Sequence, residues 1–96
     1  MILWVMYDIT NDRARSRVSK YCQQAGLYRV QYSVFLGSVT ASDRDTLEIR
    51  MEEEIDVMTD KVYIFPMSKD ELQDTTLMGE AFDKKLITDE VRALFF

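Results

Sequence analysis

The chain has 96 residues, of which 47% are hydrophobic, with three glycines, one proline and one cysteine. This composition predicts a single folded domain and excludes a disordered chain or an internal disulfide. A net charge of −5 argues against a general nucleic-acid binder, but the charge is uneven: residues 1–42 contain five basic and two acidic residues, and residues 43–96 contain seven basic and fifteen acidic ones.

The N-terminal segment predicts a central strand that ends on a carboxylate. Ile2–Tyr7 (ILWVMY) is continuously apolar, as expected of a strand with neighbours on both sides, so Trp4 and Tyr7 are expected in the core. Asp8 follows where the strand should leave the core. The run lacks the basic segment of a signal peptide, and no apolar run could span a membrane, so we expect a cytoplasmic protein without a membrane segment.

A helix and one or two strands are predicted next. Asn11 and Asp12 suit the start of a helix that runs to about Ala25, and Gly26 suits its left-handed end. Leu27–Val39 alternates like a strand, which could bend near Gln31 and Tyr32 into two. The expected buried side of the helix consists of Ala14, Val18, Tyr21, Cys22 and Ala25.

Arg29 and Phe35 fall on the strand face opposite the apolar residues. We expect an isolated chain to expose that face, unless the C-terminal segment packs over it.

A second helix and a further strand are predicted after residue 40. Ser42, with Asp45 three residues later, is a candidate N-cap for a helix that ends near Met58 and has a solvated acidic face. Val62–Met67 is a further strand, and Pro66 places it at a sheet edge. Residues 1–67 therefore predict an α+β, ferredoxin-like βαββαβ sandwich with both helices on one face of the sheet.

Residues 68–96 form a predicted C-terminal extension. Ser68–Asp74 indicates a short helical turn, and Thr75–Met78 and Lys85–Thr88 indicate extra short strands. The end of the chain is too apolar for a free tail, with Val91, Leu94, Phe95 and Phe96. Because the second sheet face is left open, we expect the extension to dock across a two-fold axis onto a partner, forming a homodimer.

The residue inventory limits the chemistry to oxygen ligands and arginines. With no histidine and one cysteine, His-based triads and thiolate clusters are excluded, and no Gly-rich phosphate loop is present. Asp8 could be structural, pairing with an arginine or capping the helix. Alternatively it could bind Mg²⁺ or Mn²⁺, with a two-fold axis bringing two copies of Asp8 to one ion.

Five segments together resemble the small CRISPR-associated protein 2 family of prokaryotic antiviral defence. They are Met6–Ile9 (MYDI), Asn11–Val18 (NDRARSRV), Gly26, Arg29–Gly37 (RVQYSVFLG) and Val62–Met67 (VYIFPM). The resemblance covers roughly residues 1–67. It implies a ferredoxin-like homodimer with exchanged C-terminal strands and a magnesium- or manganese-dependent endonuclease acting on RNA or double-stranded DNA. It also implies a bridging role in the adaptation integrase during spacer acquisition.

The resemblance also implies roles for individual residues. Asp8 takes the place of the metal-binding carboxylate and Tyr7 is implied in catalysis. Arg15, Arg17, Arg29 and Phe35 match positions of activity or substrate contact, and Ser33 lies near the interface. In the expected mechanism, water attacks a phosphodiester beside an ion held by the two Asp8 side chains, while the arginines hold flanking phosphates.

Two other functions remain open from the sequence. The dimer could be a non-catalytic scaffold that holds DNA and the integrase, with Asp8 serving only the interface. Without the resemblance, a ferredoxin-like dimer could also be a regulatory module that binds a small molecule.

Overall fold

The computed structural model describes residues 1–81, and the predicted strand Lys85–Thr88 and the apolar end of the chain lie outside the described residues. Four strands and three helices follow one another in this part of the chain. They are β1 (Ile2–Asp8), α1 (Asp12–Gln24), β2 (Tyr28–Gln31), β3 (Val34–Ser38), α2 (Ala41–Glu54), β4 (Lys61–Met67) and α3 (Lys69–Asp74). The predicted βαββαβ order is confirmed, and the segment Leu27–Val39 is a pair of strands.

The strands form one antiparallel sheet in the order β2-β3-β1-β4. The continuous apolar run of β1 therefore lies in the middle, as predicted, and β4 with Pro66 is an edge strand of the sheet in residues 1–81. A bulge between Arg29 and Gln31 and a left-handed Ser33, with φ of 62°, shape the turn from β2 to β3. This connectivity is the ferredoxin-like α+β fold.

Local signals at both ends of α1 explain its length. The Asn11 side chain accepts a hydrogen bond from the Ala14 amide at 2.9 Å, which caps the first turn. Gly26, with φ of 97°, ends the helix: its amide bonds to the Gln23 carbonyl and that of Leu27 to the Cys22 carbonyl, a Schellman motif. The predicted helix and its glycine stop are confirmed.

Helix α2 begins and ends earlier than its pattern predicted. Thr40, and not Ser42, is the N-cap, accepting from the Asp43 amide at 3.0 Å. The helix stops at Glu54, because the Asp60 carboxylate accepts from the Asp56 amide and the Asp56 side chain from the Met58 amide, and these bonds replace helical ones. Met58 consequently lies beyond the helix and is 86% exposed, so the predicted helix end near Met58 is wrong.

The core lies between the sheet and helices α1 and α2. Leu3, Val5 and Tyr7 of β1 point into it, and Phe35, Val18, Cys22, Leu47 and Met51 complete its centre. We call this side of the sheet the helix face. The expectation that both helices cover one face is confirmed.

The opposite side of the sheet, which we call the open face, is only partly covered. Leu72 of α3 packs there against Ile2 and Leu36. Tyr63 and Phe65 on the same face remain 54% and 42% exposed. The predicted helical turn is confirmed as α3, which carries a capping box between Ser68 and Glu71.

The predicted strand Thr75–Met78 is wrong for this chain alone, because the segment follows α3 as an irregular stretch outside the four-stranded sheet. A strand needs a neighbouring edge to pair with, and within residues 1–81 this segment pairs with neither of the two edge strands, β2 and β4. In residues 1–81 no helix is long and apolar enough to cross a membrane.

The thiol of Cys22 is expected to be inert in the folded protein. The residue is 0% exposed, and burial raises the pKa of the thiol to about 12, so the reactive thiolate is scarce near neutral pH. An aromatic disulfide reagent at pH 8 should therefore react only after denaturant is added. Rapid labelling of the native protein, followed by absorbance, would contradict the packing described for α1.

Candidate functional site

The end of β1 separates the two residues on which the predicted site depends. Because successive side chains of a strand point to opposite faces, Tyr7 enters the core and Asp8 lies on the open face, in line with Met6 and Trp4. Asp8 is exposed and stands across from Lys61 in the register of β4. The predicted emergence of the carboxylate from the core is confirmed, and its metal-binding role stays a prediction.

Asp8 belongs to no larger group of metal-binding side chains in the described part of the chain. In residues 1–81 no cluster of three or more acidic, cysteine or histidine side chains is placed to hold a metal ion. One chain therefore offers an ion at most two such side chains here. That donor set fits Mg²⁺ or Mn²⁺, which take hard oxygen ligands and retain several waters, and does not fit a closed protein cage.

A polar pocket of about 320 Å³ opens on the helix face beside Tyr7. Residues of β1, α1, β2 and the turn before β3 form its walls. The turn is held against β1 by a hydrogen bond that the Tyr7 amide donates to the Ser33 carbonyl at 3.1 Å. It is lined by Tyr7, Arg15, Ser16, Ser19, Arg29, Tyr32 and Ser33. The structure thus brings together four of the predicted site residues.

Arg29 is held over the pocket by two neutral contacts. Its Nη2 donates to the Ser19 Oγ at 2.6 Å, and its guanidinium lies 5.4 Å from the centre of the Phe35 ring. The Phe35 ring in turn stacks on that of Tyr7, with centroids 6.3 Å apart. The guanidinium is therefore oriented by an aromatic ring and a nearly buried hydroxyl, while it remains exposed to solvent.

Burial keeps the Tyr7 hydroxyl protonated. Only 7% of the residue is exposed, and burial raises the pKa of the phenol, with the nearby Cys22 adding to the rise. A hydrogen bond with Ser19 and the charge of Arg29 oppose this rise without overcoming it. Tyr7 is thus a hydrogen-bond donor at neutral pH and has no general-base capacity there.

Arg15 forms the other charged wall of the pocket. Its Nη1 donates to the Ile9 carbonyl at 3.0 Å, and its Nη2 pairs with Asp12, whose side chain is 87% exposed. The hydrogen bond that Arg15 donates to Asp12, and the nearby Tyr32, raise the pKa of this guanidinium. Arg15 is therefore tied to the loop after β1, close to the position of Asp8.

Arg17 lies elsewhere. Its Nη1 pairs with Glu54 Oε2 of α2 at 3.0 Å, and the Tyr21 hydroxyl donates to Glu54 Oε1 at 2.9 Å. These two hydrogen bonds lower the pKa of Glu54, so the carboxylate is ionised and partly neutralises Arg17. Because residues two apart on a helix point in different directions, Arg17 lies away from the pocket that Arg15 lines, and its role in substrate contact stays a prediction.

Phe35 is a core residue. The expectation that an isolated chain exposes Arg29 and Phe35 on an uncovered face is wrong for Phe35, which is 0% exposed on the helix face. The two residues do share a face, since they pair across β2 and β3. Direct contact with substrate does not fit a fully buried ring, and the structure gives Phe35 the position of a support beneath Arg29.

Three lining residues were not singled out from the sequence. Ser16 directly follows Arg15 on α1, Ser19 lies one turn further along, and Tyr32 opens the turn before β3. The spacing of the serines from Arg15 was a usable signal, because i, i+1 and i+4 positions can border one concavity once a strand packs beside the helix. Tyr32 was flagged only as a bend.

The sequence is similar to that of known proteins of one family. The family described as CRISPR associated protein Cas2 matches residues 1–75. A CRISPR-associated endoribonuclease Cas2 of Chloroflexus aurantiacus is 33% identical over 79 residues, covering 82% of this chain and 93% of that protein. Another, from Archaeoglobus fulgidus, is 36% identical over 67 residues, covering 70% of this chain and 71% of that protein.

Solved structures give the same picture of the fold. Streptococcus pyogenes Cas2, crystallised at pH 6.5, superposes with a TM-score of 0.71 at 28% identity, covering 82% of this chain and all of that one. A hypothetical protein of Thermus thermophilus superposes with a TM-score of 0.71 at 25% identity, covering 83% of this chain and 92% of that one.

Proposed function

The chain belongs to the Cas2 family of CRISPR associated proteins, and from this membership we propose that it is a metal-dependent endonuclease that works as a homodimer in CRISPR adaptation. Its substrate is RNA or double-stranded DNA, and the dimer bridges the adaptation integrase during spacer acquisition. The single observation that carries the nuclease proposal is the pairing, at one end of β1, of an exposed Asp8 with a pocket of arginines and hydroxyls.

Asp8 would hold Mg²⁺ or Mn²⁺ together with waters and the Asp8 of a second copy. A divalent ion bound there lowers the pKa of a coordinated water and offsets charge on the phosphate. On the other face of β1, the Arg15 and Arg29 guanidiniums hold flanking phosphates of the same strand, and the protonated Tyr7 donates a hydrogen bond there. Arg17 contributes less in this arrangement because Glu54 already pairs with it.

Cleavage should therefore need a divalent ion. We expect purified protein to cut RNA or duplex DNA in Mg²⁺ or Mn²⁺ and to stop when EDTA is added, since one carboxylate and its neighbours cannot activate water alone. Gel electrophoresis of end-labelled substrates measures this, and re-addition of excess Mg²⁺ is the control. Equal cleavage in EDTA would refute the metal-dependent mechanism.

The open face supports the homodimer. Trp4 and Phe65 are directly opposed across β1 and β4, as are Met6 and Tyr63, so aromatic side chains form a continuous surface there. Asp8 extends the row of Trp4 and Met6 on the same face. A second copy docked on this surface would cover the exposed rings and bring a second Asp8 toward the first.

Phe65→Lys should convert the dimer to a monomer. A charged side chain in the middle of an apolar interface would have to be buried without a partner. Size-exclusion chromatography with light scattering should give twice 11.3 kDa for the native chain and 11.3 kDa for the variant. Ile49→Lys is the matched control, because Ile49 is 59% exposed on α2 and lies on the other side of the sheet. Dimeric Phe65→Lys protein would place the interface elsewhere.

The bridging role is supported by the charge of α2. The helix exposes Asp43, Asp45, Glu52 and Glu53, which repel a polyanion and suit a basic protein surface. Loss of spacer acquisition, but not of cleavage, in a variant with Glu52 and Glu53 changed to lysine would support this role. Unchanged acquisition would count against α2 as the contact with the integrase.

A further inference from the structure

The pocket beside Tyr7 carries positive charge that none of its lining residues balances. Its seven lining residues include two arginines and no carboxylate. Arg29 takes part in none of the three ion pairs found within residues 1–81, and Ser19 and Phe35 orient it through neutral groups. A guanidinium that is positioned but not neutralised is suited to an external anion.

The floor of this pocket supplies further donors. Ser19 is 9% exposed and accepts from Arg29, and its hydroxyl lies within hydrogen-bonding reach of Tyr7, so the two hydroxyls form one polar base to the pocket. Tyr7, 7% exposed, reaches the same space with a hydroxyl that stays protonated. Arg15, Ser16 and Tyr32 add donors nearer the rim. An anion with several acceptor oxygens could bond to floor and rim at once.

The size and position of the pocket distinguish kinds of phosphate. About 320 Å³ is at the small end of ligand pockets, roughly 300–1,000 Å³. An internal phosphodiester is bonded to a nucleoside on each side, so the strand has to lie along the protein surface. A terminal phosphate is bonded to one nucleoside only and can enter a pocket far enough to reach buried donors. The terminal group also carries more charge and has three oxygens free to accept hydrogen bonds.

We propose that this pocket binds the terminal phosphate monoester of a nucleic-acid strand, with Arg29 as its main ligand and Ser19 and Tyr7 at its base. The assignment rests on the proposed nucleic-acid function and adds to it a preference for phosphorylated strand ends. Because Asp8 lies on the opposite face of β1, binding in the pocket does not require the metal ion.

The test measures binding without cleavage. Short single-stranded oligonucleotides carry a fluorophore at one end and either a phosphate or a hydroxyl at the other. The tested end is the 5′ end in one set and the 3′ end in the other. Binding is followed by fluorescence anisotropy in EDTA, which prevents metal-dependent cleavage. We expect at least one phosphorylated end to bind about tenfold or more tightly than its hydroxyl counterpart, the effect of one or two charge-assisted hydrogen bonds. Arg29→Gln should abolish this preference and Ser19→Ala should reduce it.

Three controls separate the possible outcomes. Arg13→Gln removes an exposed arginine of α1 outside the pocket and should keep the preference. Asp8→Asn should keep it too, even where cleavage is lost, so failure of the nuclease proposal and failure of the pocket assignment give different results. Equal affinity for phosphate and hydroxyl ends, or a preference that survives Arg29→Gln, would overturn the assignment. Binding of adenosine monophosphate without any end preference would assign the pocket to a free nucleotide instead.

Discussion

An Asp8→Asn variant is expected to lose about a hundredfold or more of the metal-dependent cleavage while the protein stays folded. Asparagine has nearly the same shape as aspartate, but it removes the negative charge that Asp8 offers to an ion. The fold should be unaffected, because Asp8 is exposed and forms none of the three ion pairs within residues 1–81. In a dimer the substitution removes both carboxylates at once.

The measurement compares initial cleavage rates at a fixed Mg²⁺ concentration, with circular dichroism and thermal unfolding as tests of structure. Glu53→Gln is the matched control, because it makes the same change of charge on an exposed residue of α2. A cleavage rate for Asp8→Asn equal to that of Glu53→Gln would leave Asp8 a structural or interface residue. The scaffold function would then be the one that the protein retains.

The sequence predicted the fold well where one signal dominated. The unbroken apolar run of β1 predicted a central strand, which the structure has. Gly26 predicted the end of α1, because glycine is the residue that readily adopts a φ of 97°. The start of α2 was predicted two residues late, because the hydroxyl of Thr40, and not that of Ser42, accepts the hydrogen bond from the Asp43 amide.

The candidate site was predicted in composition but not in arrangement. Alternation along a strand shows which side chains share a face, and Arg29 and Phe35 do share one. It does not show which face the helices cover when both are apolar, as in β3, where Phe35 and Leu36 are each 0% exposed on opposite sides. The sequence did not single out the serines of the pocket, because serine side chains on an amphipathic helix are expected to face solvent.

The second large effect is expected at Phe35. Phe35→Ala should lower the free energy of unfolding by about 3–5 kcal/mol, because it empties a fully buried ring position between Tyr7 and Arg29. Denaturant unfolding at one fixed protein concentration measures this, since a dimer's stability depends on concentration. A substrate-contacting surface ring would change stability by only about 0.5 kcal/mol, and that result would contradict the packing described here.

Phe35→Leu separates support of the fold from support of Arg29. Leucine fills much of the cavity, so most of the stability should return, but it offers no ring face to the guanidinium 5.4 Å away. We expect the folded Leu variant to bind nucleic acid more weakly than the native chain, and Arg29→Gln to show a similar loss with little change in stability. If Phe35 affects binding only through Arg29, the two losses are not additive. The double variant Phe35→Leu, Arg29→Gln should then bind nucleic acid no more weakly than Arg29→Gln alone. Additive losses would mean that Phe35 acts through another neighbour, and Tyr7, which stacks on its ring, would be the residue to test.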